Sequence, residues 1–194
     1  MKKNLILLFT FSLLFSCVKK TTNDPQTDSD LKSEKEVVEN QKIQDTIYNY
    51  WETSHDTISD RKEFVITDQK HILQLSTFSL NDSSVVRNLG IGDSQVYLDH
   101  SHKIVTDIKL STDSKTDQKR IEKADFEKVL EPQFYRESNL FSTQIDSVIG
   151  NVIFMQSDLA VPDTDNQWRV WYSIKIINNR LDKIEIQKRE YVGQ

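Results

Sequence analysis

The sequence predicts an α+β domain, mainly antiparallel β, in which a curled or layered sheet of about seven to nine strands carries one short helix near residues 123–131. Three observations support this class. Short segments alternate apolar with polar residues, turn-forming residues separate these segments, and one segment has apolar residues at helical spacing. The short connections favour antiparallel pairing, because parallel strands need a longer crossover. We place this single β-rich globular domain at residues 46–194.

The clearest strand begins at Trp168, from which alternate residues as far as Ile176 are apolar. Asn178-Asn179 then favours a tight hairpin, and residues 181–188 form the returning strand. Weaker alternation predicts further strands at residues 63–67, 71–80, 84–89, 95–98, 103–111, 117–122, 140–147 and 151–158. The predicted turns between them are Thr67-Asp68-Gln69, Asn81-Asp82, residues 90–93, Asp113-Ser114-Lys115 and Gly150-Asn151.

One segment of the domain has helical spacing. Phe126, Val129 and Leu130 lie at i, i+3 and i+4, so a short helix is expected to lay one apolar face on the sheet. Pro132 prevents this helix from continuing.

The first sixteen residues have the layout of a secretory signal peptide. Lys2 and Lys3 precede an apolar run over residues 5–15, which is shorter than the roughly 20 residues that a membrane-spanning helix needs. We therefore assign residues 1–16 to a signal peptide that is removed from the working protein.

The apolar run ends in Leu14-Phe15-Ser16-Cys17. This tetrapeptide resembles the lipobox of bacterial lipoproteins, although Phe15 is bulkier than usual, and looser lipoboxes of this kind are familiar in Bacteroidota. The resemblance implies cleavage between Ser16 and Cys17, and lipid attachment to Cys17 that anchors the protein in the membrane. The alternatives are an ordinary signal peptide with an incidental cysteine, or a short buried segment.

The residue after the cysteine is Val18. Lipoproteins of enterobacteria are retained at the inner membrane by aspartate at this position, so valine favours the outer membrane. Whether the domain faces the periplasm or the cell surface stays open.

Residues 17–45 are expected to form the lipidated cysteine and a flexible tether. Residues 18–45 contain five aliphatic residues and no aromatic one, which is too little apolar area to offset the entropy of ordering the backbone. A marginal helix over residues 29–45 is left open.

Charge and cysteine content exclude some functions. The formal net charge is −5, and loss of Lys2 and Lys3 with the signal peptide makes it −7, which is unsuited to a nucleic-acid partner. Cys17 is the only cysteine, so with its sulfur lipidated the chain has no disulfide and no thiol nucleophile. We expect no cofactor.

Asp99-His100-Ser101-His102 is the most suggestive cluster for metal chemistry, because alternate histidines on a strand point the same way. A catalytic metal needs a third ligand, for which His55 and His71 are the remaining histidines. The alternative, which we favour, is a solvated hairpin tip made of ordinary turn-forming residues.

Residues 163–166 have the acidic spacing of a calcium loop. The sixth and twelfth positions hold Trp168 and Ile174, where that loop needs glycine and a bidentate glutamate. A polar loop before a strand is the better interpretation.

Trp168 and Trp171 are expected on opposite faces of one strand, so that one is buried and the other lies near the surface. Trp171 with Arg169 and Lys175 is a candidate aromatic and basic patch for a glycan or a protein partner. The alternative is that another layer or the tether covers Trp171.

Three motifs resemble a domain-of-unknown-function family of Bacteroidota lipoproteins: residues 123–126 (Lys-Ala-Asp-Phe), residues 162–165 (Pro-Asp-Thr-Asp) and the closing hairpin. The resemblance implies an extracytoplasmic, lipid-anchored, β-rich domain, and it implies no active site.

Taken together, the sequence favours a lipid-anchored protein of the bacterial envelope whose domain is a non-enzymatic binding or structural module for an envelope protein or a glycan. The alternative is an extracytoplasmic enzyme that uses a metal held by His100 and His102.

Overall fold

The computed structural model describes residues 45–90 and 95–193, and it has the predicted α+β, mainly antiparallel architecture. The signal peptide, Cys17, the tether as far as residue 44 and part of the 90–93 turn lie outside the described residues. The strands are β1 (Asp45–Tyr50), β2 (Thr57–Ile66), β3 (Gln69–Ser79), β4 (Val85–Asn88), β5 (Gln95–Ser101), β6 (Ile104–Ser111), β7 (Thr116–Ile121), β8 (Asn139–Ile149), β9 (Val152–Ala160), β10 (Gln167–Ile177) and β11 (Arg180–Tyr191).

These strands form three sheets. Two are antiparallel and four-stranded, with the orders β2-β3-β6-β7 and β11-β10-β9-β8. The third has the order β1-β5-β4, and β1 pairs with β5 in parallel, with Tyr50 opposite His100. The described residues hold eleven strands, more than the seven to nine expected, so the strand count was too low.

The core lies where the inner faces of the two four-stranded sheets meet. Its most buried members include Leu73, Leu75, Ile108 and Leu110 from the first of these sheets, and Ile153, Met155, Tyr172 and Ile174 from the second. Alternate residues of each strand supply this core, as the period-two pattern predicted.

The predicted helix is a 3₁₀ helix at Lys123–Val129, and it inserts Phe126 into the core. A second short helix, α1 (Pro132–Glu137), follows it and was not expected. Pro132 does end the first helix, but proline is also favoured at the first position of a helix, and here it begins α1. None of the helices in the described part of the chain has the length and apolar character that crossing a bilayer requires.

The predicted turns at residues 67–69, 113–115, 150–151 and 178–179 join paired antiparallel strands, whereas Asn81-Asp82 joins β3 to β4, which lie in different sheets. Thr67 and Asp68 have φ values of 49° and 62°, and Asn178 and Asn179 have values of 54° and 63°. Two successive residues in the left-handed region are what a tight antiparallel hairpin requires. The closing hairpin of β10 and β11 is therefore confirmed.

Candidate functional site

A cleft of about 560 Å³ opens among segments from all three sheets. Its walls come from the segment between β1 and β2, the end of β3, the β5–β6 connection, the start of β8 and the loop between β9 and β10. Clefts of this volume are typical of small-ligand sites.

The rim of the cleft exposes large apolar side chains. Ile58 is 65% exposed, Phe141 is 62% exposed and Trp51 is 37% exposed. Phe141 lies at a bulge of β8, where the register with β9 shifts between Leu140 and Ser142. Bulges at sheet edges commonly redirect a side chain, and this one leaves the Phe141 ring at the cleft instead of in the core.

Among the described residues, the charged side chains that line the cleft are all acidic. They are Glu52, Asp56 and Asp163. None of the three carboxylates forms an ion pair within the described ranges. The cleft is thus apolar with a negative rim, which favours a neutral or positively charged occupant.

Two polar atoms of the cleft wall have no hydrogen-bond partner among the described residues, Ser101 Oγ and His102 Nε2. The backbone N–H of Ser83 donates to His102 Nδ1 at 2.9 Å, so the ring proton lies on Nε2. Buried polar atoms are nearly always paired in folded proteins, so unpaired ones call for an explanation. Both atoms are covered by neighbouring groups, and a ligand oxygen reaches them only if those groups shift.

Directly behind this wall lies a buried ion pair between Arg87 and Asp99. Asp99 also accepts hydrogen bonds from Asn49 Nδ2 at 2.7 Å and from Trp51 Nε1 at 3.0 Å. Arg87 Nη1 donates to the carbonyl of Pro162 at 2.7 Å. The pair therefore fixes the positions of Trp51 and of the β9–β10 loop, which stand on two sides of the cleft.

The pKa of Asp99 reflects two opposing causes. Burial raises it, but hydrogen bonds from Asn49, Arg87 and Trp51, together with the charge of Arg87, lower the pKa of this carboxyl below its ordinary value of 3.8. The carboxylate is therefore stabilised in its ionised form, as the buried arginine requires.

The expectation of a solvated hairpin tip at residues 99–102 is wrong. Asp99, Ser101 and His102 are 2%, 2% and 8% exposed. The cause is that β5 continues to Ser101 between β1 and β4, and that Asp99 binds Arg87 and Asn49 inside the domain, so these residues do not form a hairpin tip.

In the part of the chain that the structure describes, no third side chain joins His100 and His102 in a metal centre. The ring of His100 stacks on Tyr50 at 4.5 Å, with its Nδ1 at 3.4 Å from the Ser83 carbonyl oxygen, while His102 Nδ1 is occupied by the Ser83 N–H. Within the described ranges, no group of three or more His, Cys, Asp or Glu side chains is arranged to hold a metal ion.

The other histidines lie elsewhere. His71 is buried between Gln69 and Asn179, with Nδ1 2.9 Å from the Gln69 carbonyl oxygen and Nε2 3.0 Å from Asn179 Oδ1. His55 is exposed in the segment between β1 and β2.

Ser83 and His102 also do not have the geometry of a nucleophile and its base. Ser83 Oγ is 3.4 Å from His102 Nδ1, but that nitrogen already accepts the shorter bond from the Ser83 backbone. The imidazole therefore holds the connection between β3 and β4 instead of activating the hydroxyl.

The side chains of the patch predicted around Trp171 contact other residues of the same domain. Arg169 binds Asp158 through two bonds of 2.6 and 2.9 Å, and Lys188 Nζ covers the Trp171 ring at 3.8 Å from its centroid. Lys175 pairs with Glu185 at 3.4 Å. Trp171 is half-buried and none of the three predicted residues lines the cleft.

Hydrogen bonds between the Thr164 hydroxyl and the neighbouring backbone hold the loop at residues 163–166. Thr164 Oγ1 donates to the Val161 carbonyl at 2.8 Å and accepts the Asn166 N–H at 3.1 Å. The loop belongs to the cleft, since Asp163 and Thr164 line it.

Sequence reasoning missed Trp51, Ile58 and Phe141 as site residues, whereas it singled out Ser101 and His102 for a metal site and Asp163 for a calcium loop. Trp51 belongs to the aromatic-rich stretch Tyr48-Asn49-Tyr50-Trp51, and this composition gives no indication of a binding site. No protein-family model matches the chain, and a search of functionally curated proteins finds none that is significantly similar to it.

Proposed function

We propose that the protein is a lipid-anchored module of the bacterial envelope, attached to the outer membrane through Cys17, and that its β-rich domain binds a ligand in the cleft without transforming it. The observation that carries the binding role is the cleft, which exposes the apolar side chains of Ile58, Phe141 and Trp51 beside the carboxylates of Glu52, Asp56 and Asp163. An exposed apolar surface around a concavity is typical of interaction sites.

The preference for binding over catalysis rests on how the candidate groups are used. His102 is bonded to the Ser83 backbone, and His100 is stacked against a tyrosine. No observation favours the metal-dependent enzyme, so we do not propose it.

Photo-crosslinking in cells tests this function. A photoreactive amino acid is placed at Phe141 in the membrane-anchored protein, and the matched control places it at Ile149, which lies on the same strand, is 67% exposed and does not line the cleft. We expect a discrete crosslinked species at the first position and not at the second.

A second pair of variants ties that species to the cleft. Ile58→Ser should abolish the crosslink, whereas Val65→Ser should not, because both residues are 65% exposed on β2 and only Ile58 lines the cleft. Equal crosslinking at Phe141 and Ile149, or an identical pattern in both serine variants, would contradict the proposed site. A ligand chemically altered after incubation with the purified protein would contradict the binding role.

A further inference from the structure

Two strands that have a free edge among the described residues contribute to the lining of the cleft. β2 and β8 are the outer strands of their two sheets, and they approach each other without forming a ladder. Ile58 of β2 and Phe141 of β8 both line the cleft. Each edge presents a row of backbone N–H and C=O groups that can pair with an added strand.

The two edges differ in shape. β2 pairs with β3 through ten consecutive residues without a bulge, so its free edge is regular over its full length. β8 is interrupted by register shifts near Phe141 and Asp146. The regular edge of β2 is the better template for a new strand, and the bulged β8 supplies the opposite, aromatic wall.

Charges protect the middle of β2 and not its end beside the cleft. Residues 60–63 are Asp-Arg-Lys-Glu, whereas residues 57–59 are Thr-Ile-Ser. Charged side chains on an edge strand oppose the addition of another chain. The end of β2 at the cleft lacks this protection, and it carries the exposed Ile58.

The charge of the cleft indicates the chemistry of the added strand. Glu52, Asp56 and Asp163 line it, and the described lining residues include no lysine or arginine. Successive side chains of an added strand point to opposite faces, so the segment must carry both its apolar and its basic residues at every second position, on the face toward Ile58, Phe141 and the carboxylates.

We propose that the ligand of the cleft is an extended polypeptide segment that carries apolar and basic residues on the face toward the cleft and adds a strand to the free edge of β2. This inference rests on the proposed function, because it names the class of ligand for the same cleft. It requires backbone hydrogen bonds as well as side-chain contacts, which separates it from the binding of a small cationic molecule.

The test uses the full-length lipidated protein in detergent and a synthetic octapeptide, capped at both ends, with phenylalanine and lysine in turn at every second position and serine at the positions between them. Binding is measured by calorimetry. We expect Ile58→Ser and Phe141→Ser to weaken binding of the peptide roughly tenfold or more, because each truncation removes a buried apolar contact. Val65→Ser and Ile149→Ser should leave the affinity unchanged.

Three probes separate the addition of a strand from binding by charge alone and from binding of a small amine. A peptide with glutamate in place of lysine, and a peptide with alternate backbone amides methylated, should each bind roughly tenfold more weakly or not at all. 3-Phenylpropylamine, which has the cation and the ring without a peptide backbone, should not bind at the same concentration. The double variant Asp56→Asn, Asp163→Asn should weaken binding of the lysine peptide, and it keeps the fold because both residues are exposed and Asn tolerates the positive φ of 56° at position 163.

Equal affinity for the methylated peptide, for the glutamate peptide or for the amine would overturn the proposal, as would absence of binding by the lysine peptide. The photo-crosslinking result distinguishes the two failures. If the crosslink at Phe141 is present and no peptide binds, the ligand class alone is wrong, and if both are absent, the cleft itself is not the site.

Discussion

Arg87 and Asp99 face each other from neighbouring strands with their side chains 4% and 3% exposed, and Arg87 Nη2 lies 2.5 Å from Asp99 Oδ2. The pair joins β4 to β5, and its additional bonds reach Trp51 and Pro162 on the two sides of the cleft. The shape of the cleft therefore depends on a buried charge pair that does not itself line the cleft.

Replacing Asp99 with Asn should lower the free energy of unfolding by about 3 to 5 kcal/mol, because Arg87 is left buried without a counter-charge. Urea unfolding of the purified protein measures this loss. The matched control is Asp107→Asn, which removes the partner of Arg120 in an ion pair whose side chains are 43% and 45% exposed. That change should cost less than about 1 kcal/mol, since exposed pairs contribute little. Equal losses of unfolding free energy in the two variants would show that the buried Arg87–Asp99 pair stabilises the protein no more than the exposed Arg120–Asp107 pair does.

The Asp99 carboxyl should make the free energy of unfolding depend on pH in the acid range. Its pKa is lower in the folded protein than its ordinary 3.8, so the folded state holds the proton less tightly than the unfolded chain. Its contribution is therefore fully present above about pH 4 and declines as the pH falls through the folded pKa. In urea unfolding at a series of pH values, the difference in free energy between the natural protein and Asp99→Asn should shrink below pH 4. A constant difference would contradict the lowered pKa.

The parts of the fold that were predicted are those coded by neighbouring residues. The β10–β11 hairpin follows from period-two alternation and from two asparagines that tolerate positive φ, all within residues 168–188. The 3₁₀ helix follows from the spacing of Phe126, Val129 and Leu130. Such signals do not depend on the rest of the chain.

The parts that were missed depend on distant residues or on the absence of burial. All six residues of β1 are exposed, so no alternation of apolar and polar residues marks it as a strand. Its partner β5 lies about 50 residues away in the sequence. The cleft combines Ile58, His102, Phe141 and Asp163, which no local pattern relates. Asp99 looked like a turn residue because its burial depends on Arg87 from another strand.

Tyr172 should link stability to alkaline pH. Its side chain is fully buried, and its Oη lies 3.0 Å from Ser157 Oγ, which in turn lies 2.9 Å from Thr143 Oγ1. Burial raises the pKa of this phenol well above its ordinary 10.0, so the folded state keeps the proton that the unfolded chain loses. Its contribution to stability is present below about pH 10 and is lost as the pH rises further.

The check for Tyr172 is the variant Tyr172→Phe. At neutral pH it should cost about 1 kcal/mol, because Ser157 keeps Thr143 as a partner. Above pH 10 the unfolding free energy of this variant should fall less steeply than that of the natural protein. Parallel decline of the two proteins would mean that Tyr172 does not titrate with unfolding.

The turn between β10 and β11 leads to a prediction about backbone strain at Asn178. Asn178 has a φ of 54°, which costs a residue with a Cβ about 1 to 2 kcal/mol unless its side chain eases the strain, as Asn does. Asn178→Ala should therefore lower the free energy of unfolding by about 1 kcal/mol, while Asn178→Gly should leave it unchanged or raise it slightly. Thermal unfolding of both variants measures the difference, and an alanine variant as stable as the glycine variant would be inconsistent with a left-handed turn.

The proposed anchor predicts where the protein is found after cell fractionation. Cys17→Ser removes the sulfur to which the lipid would be attached, so we expect the protein to leave the membrane fraction and to lose labelling by radioactive palmitate. Thr21→Ser, a change of similar size four residues further on, should remain in the membrane and keep the label. Because the apolar run over residues 5–15 is too short to span the bilayer as a permanent helix, it should not hold the Cys17→Ser protein there. Retention of that variant in membranes washed with high salt would contradict the assignment of Cys17 as the anchor.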